Sequence, residues 1–163
     1  MATNYERARL VAVPKGALSS GFTEFDLAKD ALGKVYAPYL PALAKGSAPG
    51  ETLTFRFKGT RCAIYDVIGP DCGQVRVSLD GGPAKLVPRF DAYCTYHRLS
   101  TLLVGTELAD GVHTVRIEID PEPPDKAAIL STRKATMDKP ERFQGTAFYP
   151  GAILVVGELV EER

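Results

Sequence analysis

The residues of this 163-residue chain that could do chemistry gather most densely between Arg89 and His97, in RFDAYCTYH. Read as one strand, the stretch puts Phe90, Ala92, Cys94 and Tyr96 on a core face and Arg89, Asp91, Tyr93, Thr95 and His97 on the other. That second face combines a planar ring, ionisable hydrogen-bonding groups and an acid. Sugars need this mixture, with an aromatic surface for their C–H faces and bidentate polar groups for hydroxyl pairs. An ordinary solvent-facing strand, or one packed under the 121–150 loop, shows the same pattern. Arg89, Asp91, Tyr93 and His97 are therefore the candidate carbohydrate contacts. Asp125 and Lys126 join them, because the proline-rich loop that carries them could fold over that face.

Nucleophilic catalysis finds less support. Neither a GDS-type nor a G-x-S-x-G nucleophile motif is present. The two histidines are His97 and His113. His113 falls in phase with Val115 and Ile117, as a hydrogen-bonded histidine buried at a strand start would. His97 has Cys94 and Ser100 three residues to either side, and in a regular strand such positions face opposite ways. A zinc site would need ligand spacings that are not there. Asp66, Asp71 and Asp110 are available to a structural Ca²⁺ held by loop carboxylates and carbonyls, or are solvated turn aspartates. Cys62 reads as a small core hydrophobe. Cys72 and Cys94 are the pair available for a disulfide, although an odd cysteine count fits neither a disulfide-stapled miniprotein nor a four-ligand zinc site.

The elements that must position these residues are strands. Glu51 to Gly82 reads as three. In LTFRFKG, Leu53, Phe55 and Phe57 alternate with Thr54, Arg56 and Lys58, the period of a half-buried strand. After a Gly59-Thr60 break, CAIYDVI is apolar on both faces, as in a strand covered on two sides. QVRVSL alternates again and ends in the hairpin signal Asp80-Gly81-Gly82. Val112 to Asp120 places His113, Val115, Ile117 and Ile119 on one face. Further strands are expected at Tyr5–Val13, from Lys85 up to Pro88, and at Gly151–Val160, with a long extended segment from Arg89 to Val104. Residues 14–50 read as irregular, with a short helix feasible between Asp26 and Lys34. One or two helical turns are expected after Asp125, which stands at an N-cap position. Turns every eight to twelve residues argue for an all-β sandwich, with Leu53, Phe55, Phe57, Ile64, Val75, Val77, Leu79, Val115, Ile117 and Ile119 as its core.

Several segments also carry a resemblance. TFRFKGTRCAIYDVIGPDCGQVRVSLDG, RFDAYCTYHRLSTL, DGVHTVRIEI, PDKAAIL and the terminal GAILVVGELVE resemble the β-sandwich domain attached to bacterial SGNH/GDSL-type hydrolases, one of the jelly-roll, galactose-binding-like modules. The likeness runs from about Gly50 to the end. It implies a jelly-roll sandwich with one short helix, a place beside a carbohydrate esterase, polysaccharide or oligosaccharide as partner, and a secreted or periplasmic home.

Composition sets the outer bounds. The length suits one domain, here expected as residues 1–163 and as one module of a larger protein. Lys plus Arg equal Asp plus Glu at 20 each, so charge gives no case for nucleic acid or an anionic membrane as partner. No run reaches the length of a membrane span, and the first residues lack the apolar core of a signal peptide. The expected role is a non-catalytic, carbohydrate-binding-type module. A self-contained esterase, weakened by the missing nucleophile motif, is one rival. A structural or oligomerising domain is the other, slightly favoured by the absence of Trp.

Overall fold

One strand of 17 residues, Thr52–Ile68, organises the protein. The computed structural model describes residues 6–161. In chain order the strands are β1 (Ala8–Ala12), β2 (Thr23–Glu24), β3 (Ala44–Lys45), β4 (Thr52–Ile68), β5 (Gln74–Leu79), β6 (Lys85–Pro88), β7 (Arg98–Gly105), β8 (Gly111–Ile119) and β9 (Tyr149–Val160). Two short helices accompany them, α1 (Ala31–Tyr36) and α2 (Lys126–Ser131). The main sheet has the order β1-β9-β4-β8-β5-β6, with β7 also on β4. All its pairings are antiparallel. The architecture is all-β, as the alternating segments predict.

β4 reaches both halves of the sandwich because it changes phase midway. Its first half pairs with β8 from Thr52 to Gly59, its second with β7 from Cys62 to Ile68, and β9 runs along its other edge. Leu53, Phe55 and Phe57 face inward at odd positions, whereas Cys62 and Ile64 face the same core at even ones. A register shift between Gly59 and Arg61 makes the switch. The Gly59-Thr60 break of the sequence is thus a bulge inside a continuous strand. Gly59 lies opposite Gly157, and the two backbones nearly touch. A Cβ on Gly157 would sit 2.0 Å from the Lys58 carbonyl oxygen, and one on Gly59 2.1 Å from that of Val156.

The shared core takes in the inward residues of β4, β5, β7, β8 and β9. Of the ten residues expected there, nine are buried and Leu79 packs at the margin. Cys62 is fully buried, as expected, and its thiol is pushed up to about 12 by burial. A second apolar cluster lies on the outer face of β4 and β9, where Tyr36, Leu40 and Leu43 cover Val67, Tyr149 and Ala152. The third closes one end of the sandwich with Ile68, Phe90, Cys94, Leu130 and Phe143.

Besides the three strands expected from Glu51 to Gly82, which are two because β4 is continuous, four expectations need correction. Among the described residues there are two α-helices where one was expected, because α1 forms from Ala31 and ends before Pro38. The stretch from Arg89 to His97 is not extended: Asp91 accepts a hydrogen bond from its own downstream backbone, Tyr93 N at 2.9 Å, and winds the chain into a turn that delays β7 until Arg98. CAIYDVI is covered on both faces except at Tyr65, which is 36% exposed. The last strand starts at Tyr149 rather than Gly151. Tyr5, the expected start of the first strand, lies outside the described residues.

Candidate functional site

Loss of the strand disperses the face it was to present. Arg89 turns inward, and its Nε and Nη2 donate to the two carboxylate oxygens of Asp66, each at 2.7 Å. Nη2 also donates to Ser100 Oγ at 3.1 Å. Both members of the pair are buried. Asp91 closes its turn and pairs with Arg98. Tyr93 is exposed, but the Arg133 guanidinium lies 3.5 Å from its ring centroid and takes one aromatic face. Asp125 caps α2 by accepting from Ala128 N at 3.0 Å.

Lys126 is buried, and its Nζ donates to the carbonyl oxygens of Pro70 at 2.9 Å, Phe143 at 2.7 Å and Gly145 at 3.3 Å. Burial lowers its pKa from the usual lysine value. The expected strand face is not there for the loop to close over, and these residues instead fasten the loop to the Pro70 turn. Of the six candidates, Arg89 and Lys126 are buried and offer a ligand almost no surface.

His97 joins a different group. Its Nε2 lies 2.9 Å from Asp71 Oδ1, its ring meets Tyr149 edge-on at 5.5 Å, and it packs so closely on Gly69 that a Cβ there would be 2.3 Å from the ring. Asp71 also accepts from Lys45 Nζ at 3.1 Å and from the Tyr149 hydroxyl. Burial pushes the Asp71 carboxyl up, but donation from His97, Tyr149 and Lys45 outweighs it and holds the group well below the usual carboxylate range. Tyr149 moves the opposite way, pushed up by burial and by the same carboxylate.

An oriented histidine is half of a nucleophilic device. The other half is not bonded to it. Ser100 Oγ accepts from Arg89, and Cys94 exchanges bonds with Asp91. Burial pushes the Cys94 thiol up to about 11 and the Cys72 thiol well up too, so neither is a thiolate at neutral pH. Both are free cysteines. His113 is buried as expected, between Asp80 Oδ2 at 2.7 Å and the Ala109 carbonyl oxygen at 2.8 Å.

The three aspartates considered for calcium all have cationic partners: Asp66 has Arg89, Asp71 has Lys45, and Asp110 has Arg7. Among the described residues, no three His, Cys, Asp or Glu side chains gather in a way that could hold a metal ion.

An open groove of about 520 Å³ lies where residues 38–40 overhang the outer face of β4 and β7. Pro38, Tyr39 and Leu40 form one side; Tyr65, Leu99 and Thr101 form the other, with Ser100 beside them. Tyr39 is 62% exposed. The groove exists because Tyr65, Val67, Leu99 and Thr101 share one face of the paired strands. The segment after α1 shields Val67 but stops short of Tyr65. Sequence reasoning missed it by assigning Tyr65 to a fully covered strand. The available signal was the pair Pro38 and Pro41, which bars helix and holds Tyr39 out on a loop.

No protein-family model matches the chain, and neither does any curated protein sequence. Solved structures do resemble its fold. A two-domain esterase (CEX) active on acetylated mannans, co-crystallized with mannopentaose, aligns with a TM-score of 0.62 at 12% identity, over 97% of this chain and 38% of that one. A family two carbohydrate esterase from Cellvibrio japonicus aligns at 0.59 and 11%, over 96% and 36%. The GH26-CBM35 β-(1,4)-mannanase of Podospora anserina aligns at 0.52 and 12%, over 97% and 29%. The chain thus spans about a third of the length of these proteins, and the likeness is one of fold.

Proposed function

We propose that this chain is a non-catalytic module of a secreted or periplasmic carbohydrate-active protein, ancillary to an SGNH/GDSL-type carbohydrate esterase, and that glycan docks in the Tyr39–Tyr65 groove. The groove itself carries the reading: two exposed tyrosines offer ring faces to sugar C–H groups, and Thr101 offers a hydroxyl beside them. Support comes from the similar folds, which occupy about a third of an esterase active on acetylated mannans and of a mannanase with a carbohydrate-binding module.

A further observation favours packing of the module against a neighbouring hydrolase domain. Leu103, Ala63, Leu154 and Leu10 are successive neighbours across the outer face of β7, β4, β9 and β1. Leu103 and Leu10 at its two ends are 52% and 45% exposed. The two exposed leucines, with the half-buried Leu154 between them and Ala63 already buried, suit burial against another surface.

The test is calorimetric titration of mannopentaose and cellohexaose into the wild type, Tyr39→Ala and Tyr65→Ala, with ester hydrolysis followed in parallel. Binding should be weak, because an open groove excludes little water. Each substitution should lower affinity roughly tenfold, about 1.4 kcal/mol. Equal binding by all three proteins would move the site elsewhere. Turnover of an acetyl ester, abolished in His97→Ala, would make the chain an enzyme.

A further inference from the structure

We infer that the groove selects neutral glycans and rejects both acidic and amino sugars, an inference that rests on the reading of the groove as a glycan site. The observation is its lining, in which, among the described residues, no Asp, Glu, Lys, Arg or His takes part. Its polar side-chain groups are the hydroxyls of Thr101 and the two tyrosines, which can donate to or accept from a sugar hydroxyl; the Ser100 hydroxyl lies on the other face of the strand, on Arg89. The nearest charges in sequence are Asp66, beside Tyr65, and Arg98, which stands beside Leu99 and is paired with Asp91. Asp66 points into the core and is matched there by Arg89 at 2.7 Å, so that pair presents no net charge to the groove.

A carboxylate or ammonium entering this groove would shed water without meeting an opposite charge, a cost that a hydroxyl avoids. Selection then comes from the missing countercharge rather than from a repelling one. Two consequences follow. Neutral-glycan affinity should not depend on salt, because screening acts on charge pairs and none spans the contact. Supplying one countercharge should convert the specificity. Thr101 is the place for it, being exposed on a strand and lining the groove.

Mannopentaose, oligogalacturonate and protonated chitosan pentamer would each be titrated into the wild type, Tyr39→Ala and Thr101→Lys at low and high salt. For the wild type, mannopentaose affinity should stay constant between about 0.05 M and about 0.5 M salt. The two charged oligomers should bind at least roughly tenfold more weakly. Thr101→Lys should gain oligogalacturonate binding that falls with salt. A charged oligomer that binds wild type as tightly as mannopentaose, and loses affinity in Tyr39→Ala, overturns the neutral selection while leaving the groove as the site. Absence of binding by all three oligomers, or binding indifferent to Tyr39→Ala, removes the groove as a glycan site and this inference with it.

Discussion

Arg89 ends inside the protein because Asp66 faces inward. β4 has changed phase before it reaches Asp66, so the carboxylate points at the core side near the end of the sheet and is fully buried. Burial pushes that carboxyl up, against the pull of Arg89. An arginine fork supplies two parallel donors that satisfy both oxygens. Removing one member of such a pair strands a buried charge. Arg89→Ala should therefore cost about 3–5 kcal/mol of folding stability, read from chemical denaturation. If the variant instead kept wild-type stability and lost glycan binding, Arg89 would be a ligand residue. The same logic separates the rest of the turn. Tyr93 and His97 retain exposed surface and remain accessible to a titrant, whereas Lys126 faces three carbonyl oxygens of its own chain.

At the scale of elements, the crossing of β4 and β9 determines which side chains meet the core. Gly157 has φ +141° and lies against the Lys58 carbonyl. Any side chain there must push the two long strands apart. Gly157→Ala should destabilise the protein by about 1–3 kcal/mol, as overpacking does, with melting temperature as the measurement. No loss would mean that the strands can separate at this point. The alternating segments were legible in sequence because a sheet with one buried face imposes period two on its residues. LTFRFKG, QVRVSL and VHTVRIEID all show it, and His113 was placed by that phase. RFDAYCTYH shows the same alternation without being a strand. There Asp91 supplies local hydrogen bonds that compete with the ladder, while Phe90 and Cys94 are buried from a turn as effectively as from a strand. The groove was illegible for the opposite reason. Tyr65 has the type and phase of a covered residue, and only the limited reach of residues 38–40, a tertiary fact, leaves it open.

For the molecule as a whole, stability should depend on pH through His113. Its two ring nitrogens face a carboxylate oxygen and a carbonyl oxygen, both acceptors, so the doubly protonated ring fits the site. Asp80, then the Ala109 carbonyl, raises its pKa above the ordinary histidine value. The sign follows: the stabilisation is complete below the unfolded value of about 6.5 and is lost as pH rises through the higher folded one. The Asp80 carboxyl, held low first by His113 and then by Thr114 N–H, adds stability that disappears as pH falls through its lowered value. The difference in melting temperature between wild type and His113→Gln should thus be largest in mildly acidic solution and shrink toward alkaline pH. A constant difference would leave His113 a purely steric role. The end of the sandwich near Lys126 raises a separate matter, that of supply. The Pro70 turn and the 143–145 loop are gathered around one positive charge. Because that charge hangs from α2, its local concentration is fixed by a tether of four methylenes and not by what the surroundings contain. A loop knot tied by a free ion loosens as the ion is diluted. This one is made once, when the chain folds, and travels with the protein into any medium.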